Sequence, residues 1–480
     1  MNFLWTSDAL VSAVSGRPVG TMPEGVTGIS IDSRTLKPGE AFFAIKGDRF
    51  DGHDYATAAM KAGAALLVVA ESRLPALGRV AMPMIVVPDV LDALRKAGIA
   101  ARARARARII AVTGSAGKTT TKDMLREVLS ASGSVHAADR SFNNHWGVPL
   151  TLARMPADSD FVIFEIGMNH AGEISPLTRM VRPHIAIITL IAAAHLGNFA
   201  SLDDIARAKA EIFEGVEKGG HALINRDDKR WKLLEKSARA AGVENVWGFG
   251  ENSRATFKLL ECHPAAEDST VKVRLAGEEH EARIGAPGRH LVQNAMAVMG
   301  AAYLAGADMP KVMLAFSGIR PATGRGRRYR LAHPQGEFTL IDESYNANPA
   351  SMKAAIDLMD AAPVSGSGRR IAVLGDMLEL GKHSQRLHAD LADLVAGCKA
   401  DLVLLAGEEM RALADNAPAG RELTHFETVA ALESALLKAV GPGDVVMVKS
   451  SNGIGFSKLV EALLKKYPEA DAVSRSETAV

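Results

Sequence analysis

An α/β chain of three domains, with a parallel-sheet middle domain between a smaller α/β domain and a second doubly wound one, is what this sequence predicts, on three observations. Its 480 residues exceed what one core holds and suit roughly three domains. Apolar strand-like runs alternate with segments of helical period, the mark of parallel sheets covered by helices. One of those runs leads straight into a glycine loop and a helix.

In the first domain, drawn at 1–105, Ala41-Phe42-Phe43-Ala44-Ile45 and Ala65-Leu66-Leu67-Val68-Val69-Ala70 read as strands, separated by turn chemistry such as Lys37-Pro38-Gly39-Glu40. Residues 91–97 have helical spacing, and the alternating Ala and Arg of 101–108 read as the solvated end of that helix and a linker, in preference to a basic binding surface. The middle domain, 106–324, has its clearest strands at 161–166, 185–190 and 222–224, and the turn-forming, cationic stretch 318–328 is the expected hinge. The last domain, 325–480, carries strands at 338–341, 371–374, 402–405 and 445–448 between helices, and its polar end, 470–480, is expected to fray.

Composition excludes several functions. Lys and Arg number 56 against 55 Asp and Glu, so the chain has no net attraction for polyanions and nucleic acid is not its expected partner. Cys262 and Cys398 stand far apart, which suits neither a disulfide framework nor a zinc cluster and fits a reducing compartment. The start, Met1-Asn2-Phe3-Leu4-Trp5-Thr6-Ser7-Asp8, lacks a basic region followed by a long apolar stretch, and no run elsewhere is long and apolar enough to span a bilayer. A cytoplasmic protein is expected.

The segment Ile109-Ile110-Ala111-Val112-Thr113-Gly114-Ser115-Ala116-Gly117-Lys118-Thr119-Thr120 combines a buried strand, a glycine loop and a helix start, the physical recipe for gripping a polyphosphate. The glycines let backbone approach phosphate, the helix N–H groups point at it, Lys118 supplies a cation, and the Thr119 hydroxyl suits a Mg2+ shell. The common G-x-x-x-x-G-K-[ST] pattern would need glycine where Val112 stands, and here only two residues separate Gly114 from Gly117. After the loop, Met124, Leu125, Val128 and Leu129 keep helical spacing until Gly133, so Lys118 and Thr119 lie at a helix N-terminus.

Ligands in open α/β sheets bind beyond the carboxyl ends of strands, which makes polar residues there informative. Glu165 ends an apolar strand in the loop's own domain, where a carboxylate opposite Thr119 suits a phosphate-bridging cation. His195 follows another strand; alone it reads as a turn or core histidine. Asp342-Glu343, Gly375-Asp376-Met377 and Lys449-Ser450-Ser451-Asn452-Gly453 close strands of the last domain. Lys209, in Ala206-Arg207-Ala208-Lys209-Ala210-Glu211-Ile212-Phe213, reads by itself as a helix-surface lysine.

Taken in order, these residues and several further runs resemble the Mur ligases, ATP-dependent amide-forming enzymes of peptidoglycan precursor synthesis, along nearly the whole chain. The runs are Ile31-Asp32-Ser33-Arg34, Lys46-Gly47-Asp48 with Asp51-Gly52-His53, 113–120, Asn143-Asn144-His145-Trp146-Gly147-Val148-Pro149, 165–174, Ala194-His195-Leu196, 208–213, Asp342-Glu343-Ser344-Tyr345-Asn346-Ala347-Asn348-Pro349 and Gly375-Asp376-Met377-Leu378-Glu379-Leu380-Gly381. The resemblance implies a first domain for the UDP end of the substrate, a central ATPase-like domain and a Rossmann-like domain closing over them. It implies that Thr113, Gly114, Ser115, Ala116, Gly117, Lys118, Thr119 and Thr120 hold ATP, with Asn294 at the adenine and Arg325 and Asp342 as further nucleotide contacts. Thr119, Glu165 and His195 would serve Mg2+, and Lys209 falls on the family lysine that is carbamylated and then serves the metal site. Lys118, Glu165, His195 and Lys209 are thus the expected catalytic group.

Ser33 and Arg34 match uridine-nucleotide contacts, and Asn143, Asn144, Tyr345, Asn346 and Asn348 are carried over as substrate residues. Within the family these runs look like the dipeptide-adding member, which implies UDP-N-acetylmuramoyl-tripeptide and D-alanyl-D-alanine as partners of a monomer. The Asp-Asn-Pro-Arg signature of the neighbouring tripeptide-forming ligase is absent, although Asp51-Gly52-His53 resembles that neighbour as well. The alternatives are another Mur ligase, a folylpolyglutamate synthase, or a P-loop regulatory protein that would show no acceptor-dependent product.

Overall fold

Three large sheets succeed one another along the chain in the computed structural model, which describes residues 3–470 apart from 48, 79 and 140. Asp48 of the Lys46-Gly47-Asp48 run, and all of the expected frayed end beyond Ala470, lie outside the described residues. The first sheet has five strands in the order Arg17–Val19, Met84–Val87, Leu66–Ala70, Ala41–Phe43, Ile29–Ser30, parallel except for its first strand. The second has nine, in the order Glu278–Ile284, Ser269–Leu275, Phe257–Pro264, Asn245–Gly250, His221–Asn225, Ile185–Ile188, Arg108–Thr113, Phe161–Glu165, Val135–Ala137. The third has six, in the order Arg327–His333, Gly336–Glu343, Val445–Lys449, Arg370–Gly375, Leu402–Ala406, Leu423–Phe426.

The middle strands of the second sheet read as continuous apolar runs because helices cover both faces. Ile109, Ala111, Val162, Phe164, Ala186 and Ile188 enter one core; Ile110, Val112, Phe161, Ile163, Ile185 and Ile187 enter the other. Helix Lys118–Leu129 buries Met124, Leu125, Val128 and Leu129 against the second core, and Gly133 N–H closes its end on Leu129 O at 3.1 Å.

The second sheet is mostly parallel, as the sequence predicts, from Val135–Ala137 across to Phe257–Pro264, but not throughout: Ser269–Leu275 and Glu278–Ile284 add an antiparallel edge. Ala276 and Gly277, both at positive φ (49° and 106°), form the tight turn of that hairpin, and Val271, Val273 and Leu275 alternate with charged or half-buried neighbours as a one-sided strand must. Nor is the Arg-rich helix end solvated. Helix Val90–Arg104 runs into it, and Arg102 is buried, its Nε donating to Val181 O at 2.8 Å while its Nη2 meets Glu217 at 3.1 Å. Arg104 lies 3.7 Å over the Trp5 ring, Trp5 Nε1 donates to Ala153 O at 2.9 Å, and Arg154 Nε donates to Ile29 O at 2.6 Å. The first two sheets are joined through these cations and one shared apolar core.

Candidate functional site

Strand Arg108–Thr113 lies between Phe161–Glu165 and Ile185–Ile188, so the chain crosses to one side of it and then to the other, and the crevice beyond its carboxyl end is a topological switch point. Facing that crevice are the carboxyl ends of Gly336–Glu343 and Val445–Lys449 in the third sheet. Between them is a cavity of about 370 Å³ lined by residues of both.

The loop of residues 114–117 fits no side chain at its two glycines. Gly114 (φ 153°) has Thr189 Oγ1 where a Cβ would point, 1.9 Å away, and Gly117 (φ 83°) has Asn294 Oδ1 at 2.4 Å. Thr189 Oγ1 donates to Ala116 O at 2.5 Å, and Lys118 Nζ donates back to Gly114 O at 2.7 Å, so the loop is tied from both sides. Burial holds the Lys118 ammonium below the usual lysine range; Glu165 and Glu379 oppose that, and Arg325 adds to it.

Around the loop, Thr119 Oγ1 lies 3.2 Å from Ser141 Oγ, and Asn143 Nδ2 donates to Glu165 Oε1 at 2.8 Å. The second oxygen, Glu165 Oε2, is buried with no hydrogen-bond partner among the described residues. Lys209 is not a surface lysine. It is on the inward face of helix Leu202–Ala210, fully buried, and its Nζ likewise has no hydrogen-bond partner among the described residues. Burial, followed by the charge of Lys118, drives its amine well below the ordinary lysine value. Glu165 thus brings an unsatisfied carboxylate oxygen to the cavity, whereas Lys209, unsatisfied as well, is not among the lining residues.

His195 lines the cavity and adopts a left-handed backbone (φ 59°), and its Nδ1 is 2.5 Å from Glu379 Oε2, which comes from the third sheet's side. That contact is the leading cause of a Glu379 carboxyl below the usual range. Arg325 stacks over Tyr345, 4.1 Å from guanidinium to ring centre, and the Tyr345 hydroxyl reaches Ser141 Oγ at 3.4 Å.

Of the residues expected at the site, 115–120, Asn143, Glu165, His195, Asn294, Arg325, Tyr345, Asn346 and Asn348 line this one cavity. Thr113, which ends the strand, and Gly114, which opens the loop, are not among the lining residues. Asp342 is wholly buried, accepting from Gly324 N at 2.7 Å, Ser344 N at 3.1 Å and Ser344 Oγ at 2.7 Å, and so holds the segment that presents Arg325. Asn144 Oδ1 accepts from Gly147 N at 2.9 Å, and Asn348 caps helix Pro349–Ala361. Ser33 and Arg34 are not among the lining residues; Arg34 is exposed and forked onto Asp32, with Nη2 to Oδ2 at 2.6 Å.

Glu343 and Lys449, which the strand-end rule had singled out, also line the cavity, as do Thr189, Asn225, His290 and Gln293, which sequence reading passed over. Thr189 and Asn225 stand at or just beyond the carboxyl ends of strands, so the rule that found Glu165 could have found them too. Lys449 and Glu343, on neighbouring parallel strands, meet at 3.1 Å, and Lys449 Nζ also donates to Asn346 O at 2.7 Å.

The chain belongs to the Mur ligase family. The Mur ligase family catalytic domain matches residues 25–102, the Mur ligase middle domain residues 112–302, and the Mur ligase glutamate ligase domain residues 326–452. Among its relatives, the UDP-N-acetylmuramoyl-tripeptide–D-alanyl-D-alanine ligase of Escherichia coli K12 is 32% identical over 438 residues, covering 91% of this chain and 93% of that protein. The enzyme of the same name from Bacillus subtilis 168 is 32% identical, covering 92% and 93%. In three dimensions the chain is similar to MurF from Acinetobacter baumannii, with a TM-score of 0.83 at 29% identity over 96% of this chain and 99% of that one.

Proposed function

We propose that this protein joins D-alanyl-D-alanine to the terminal carboxylate of UDP-N-acetylmuramoyl-tripeptide at the expense of ATP, through an acyl phosphate. The observation that carries this reading is the single cavity in which a phosphate-type loop faces the carboxyl ends of a second sheet. A carboxylate resists attack by an amine until one oxygen becomes a leaving group, which phosphorylation provides. Carboxylate and γ-phosphate repel each other, and Lys118 with the N–H groups opening its helix offsets that repulsion. Asn294, packed on Gly117, and Arg325 on Tyr345 flank the loop as nucleotide contacts, and Asp342 positions the Arg325 segment. Asn143 holds Glu165, while Asn144, Asn346 and Asn348 shape the turns facing the acceptor. Ser33 and Arg34, outside the cavity, take the uridine end. The boundaries 105/106 and 324/325 belong to this proposal, supported by three sheets whose strands fall between them.

The buried, unpartnered Glu165 Oε2 beside the Thr119 hydroxyl suits Mg2+, which is held by few carboxylates and many phosphate oxygens. Mg2+ would supply positive charge to the transferring phosphoryl group, with Thr119 and Glu165 at one ion and His195 at a second. Burial shifts Lys209 toward the neutral amine that carbamylation needs: that nitrogen bonds to CO2, releases a proton to solvent and becomes a carbamate anion suited to a metal site. Residues 376–381, which meet the His195 segment, keep water from the reactive intermediate.

The test supplies ATP, Mg2+, UDP-N-acetylmuramoyl-tripeptide and a panel of amines, and weighs the product. D-alanyl-D-alanine should give the pentapeptide with ADP and phosphate. Joining of a different amino acid, glutamylation of a folate, or ATP hydrolysis without a joined product would each overturn the reading.

A further inference from the structure

The contact between the third sheet's loop and the middle domain does more than cover the cavity. The loop of residues 376–381 is fixed to its own domain: Met377 N–H donates to His388 Nε2 at 2.9 Å, Leu378 N–H to Ser451 Oγ at 2.9 Å, and Met377 and Leu380 are buried. It cannot follow the middle domain if the two separate. Opposite it, the His195 segment is fixed to the middle domain, with Leu196 buried and Asn198 Nδ2 donating to Asn169 O at 3.1 Å.

Where the two meet, Gly197 N–H donates to Glu379 O at 2.9 Å, and a Cβ on Gly381 would lie 2.6 Å from Gly197 Cα. Backbone touches backbone there. His195 and Glu379 are both non-glycine residues in left-handed conformations (φ 59° and 65°), a state kept only where surroundings enforce it. Their side chains then meet as an ion pair, Nδ1 to Oε2 at 2.5 Å, with the imidazole turned out of hydrogen-bond geometry so that the pair is held by charge and proximity. A carboxylate on one imidazole nitrogen fixes the ring's orientation and leaves the lone pair on the other, the arrangement that metal-bound histidines need.

From this the geometry points to Glu379 as a positioning residue that sets the His195 imidazole for the metal ion, so that docking of the C-terminal domain and metal binding at His195 are one linked equilibrium. The inference rests on the proposed reading of His195 as a metal residue. Because linkage is reciprocal, metal must favour the docked state by the factor by which docking tightens metal.

The experiment measures Mn2+ bound to the full-length protein with a non-hydrolysable ATP analogue, by electron paramagnetic resonance, alongside domain docking by energy transfer between dyes on the two domains. Glu379→Ala should weaken the affected Mn2+ site about 10- to 100-fold and remove the metal dependence of docking. Glu379→Gln, whose amide oxygen can still face Nδ1 without the charge, should restore most of both. His195→Ala separates the two claims. Loss of a Mn2+ site in His195→Ala with wild-type Mn2+ affinity in Glu379→Ala overturns only the positioning role, whereas unchanged Mn2+ binding in His195→Ala overturns the metal reading itself. Wild-type protein that docks equally with and without Mn2+ also overturns the linkage.

Discussion

Among the described residues the middle domain buries two lysines completely, and they differ in what their ammonium groups meet. Lys122, one turn into the helix that follows the phosphate loop, donates to Ala138 O at 2.8 Å and pairs with Asp123 at 3.0 Å. Lys209, on helix Leu202–Ala210, has nothing to donate to. A buried ammonium that is fully engaged is part of a scaffold. One without a partner is held in a chemical state that the fold does not complete, and that is what a reactive or ligand-seeking group requires. Sequence alone does not distinguish them, since both are lysines on amphipathic helices.

Substitution should separate the pair. Lys209→Ala is expected to lower turnover by about 10²–10³-fold, the scale for losing one preorganised electrostatic group, while leaving stability to denaturant unchanged or higher because an uncompensated buried amine is gone. Full activity in that variant would reduce Lys209 to a second Lys122. ¹³C-bicarbonate should also give a carbamate carbon resonance in wild-type protein that Lys209→Ala lacks. Lys122→Met should do the reverse, costing about 1–3 kcal/mol of unfolding free energy, by stranding Ala138 O and Asp123, with turnover per folded molecule preserved.

The same contrast marks what the sequence could say. The loop 113–120 was legible because its chemistry is local: strand, glycines, lysine and hydroxyl follow one another, and the strand-end rule added Glu165. Lys209 was marked only by the family resemblance, because burial depends on what packs over its helix and its own neighbours in sequence do not show it. The Glu343–Lys449 pair joins strands far apart in sequence, and the His195–Glu379 contact exists only where two domains meet. The antiparallel edge was not picked out, although Val271-Lys272-Val273-Arg274-Leu275 shows the two-residue period of a one-sided strand. Arg102 was assigned to solvent on composition, whereas the carbonyls of Val181 and Arg182 await its guanidinium.

A third prediction sharpens the comparison by pH. Lys209 holds its amine below the unfolded value of about 10.5, so between the folded and unfolded values the unfolded chain binds more protons and unfolding becomes costlier as pH rises. In CO2-free buffer, wild-type stability relative to Lys209→Met should therefore climb with pH toward that value, by at most about 1.4 kcal/mol per pH unit, and level off above it. A flat difference for Lys209 would mean that its ammonium finds partners after all.

The smallest expected effect lies at the domain junction, where contacts are half solvated. Arg325 stacks on the Tyr345 ring, and the Tyr345 hydroxyl reaches Ser141 only at 3.4 Å from a partly exposed position. Tyr345→Phe keeps the ring under the guanidinium and loses a long, solvent-competed hydrogen bond, so KM for ATP should barely move. Tyr345→Leu removes the stacking as well, worth about 0.5–1 kcal/mol at an exposed site, and should raise that KM about two- to fivefold through a less ordered Arg325. Equal KM values in the two variants would show that the ring does not orient Arg325. A large rise in Tyr345→Phe would instead make the hydroxyl a substrate contact, and the junction would then resemble Lys209 more than Lys122: a polar group whose partner arrives with the ligand.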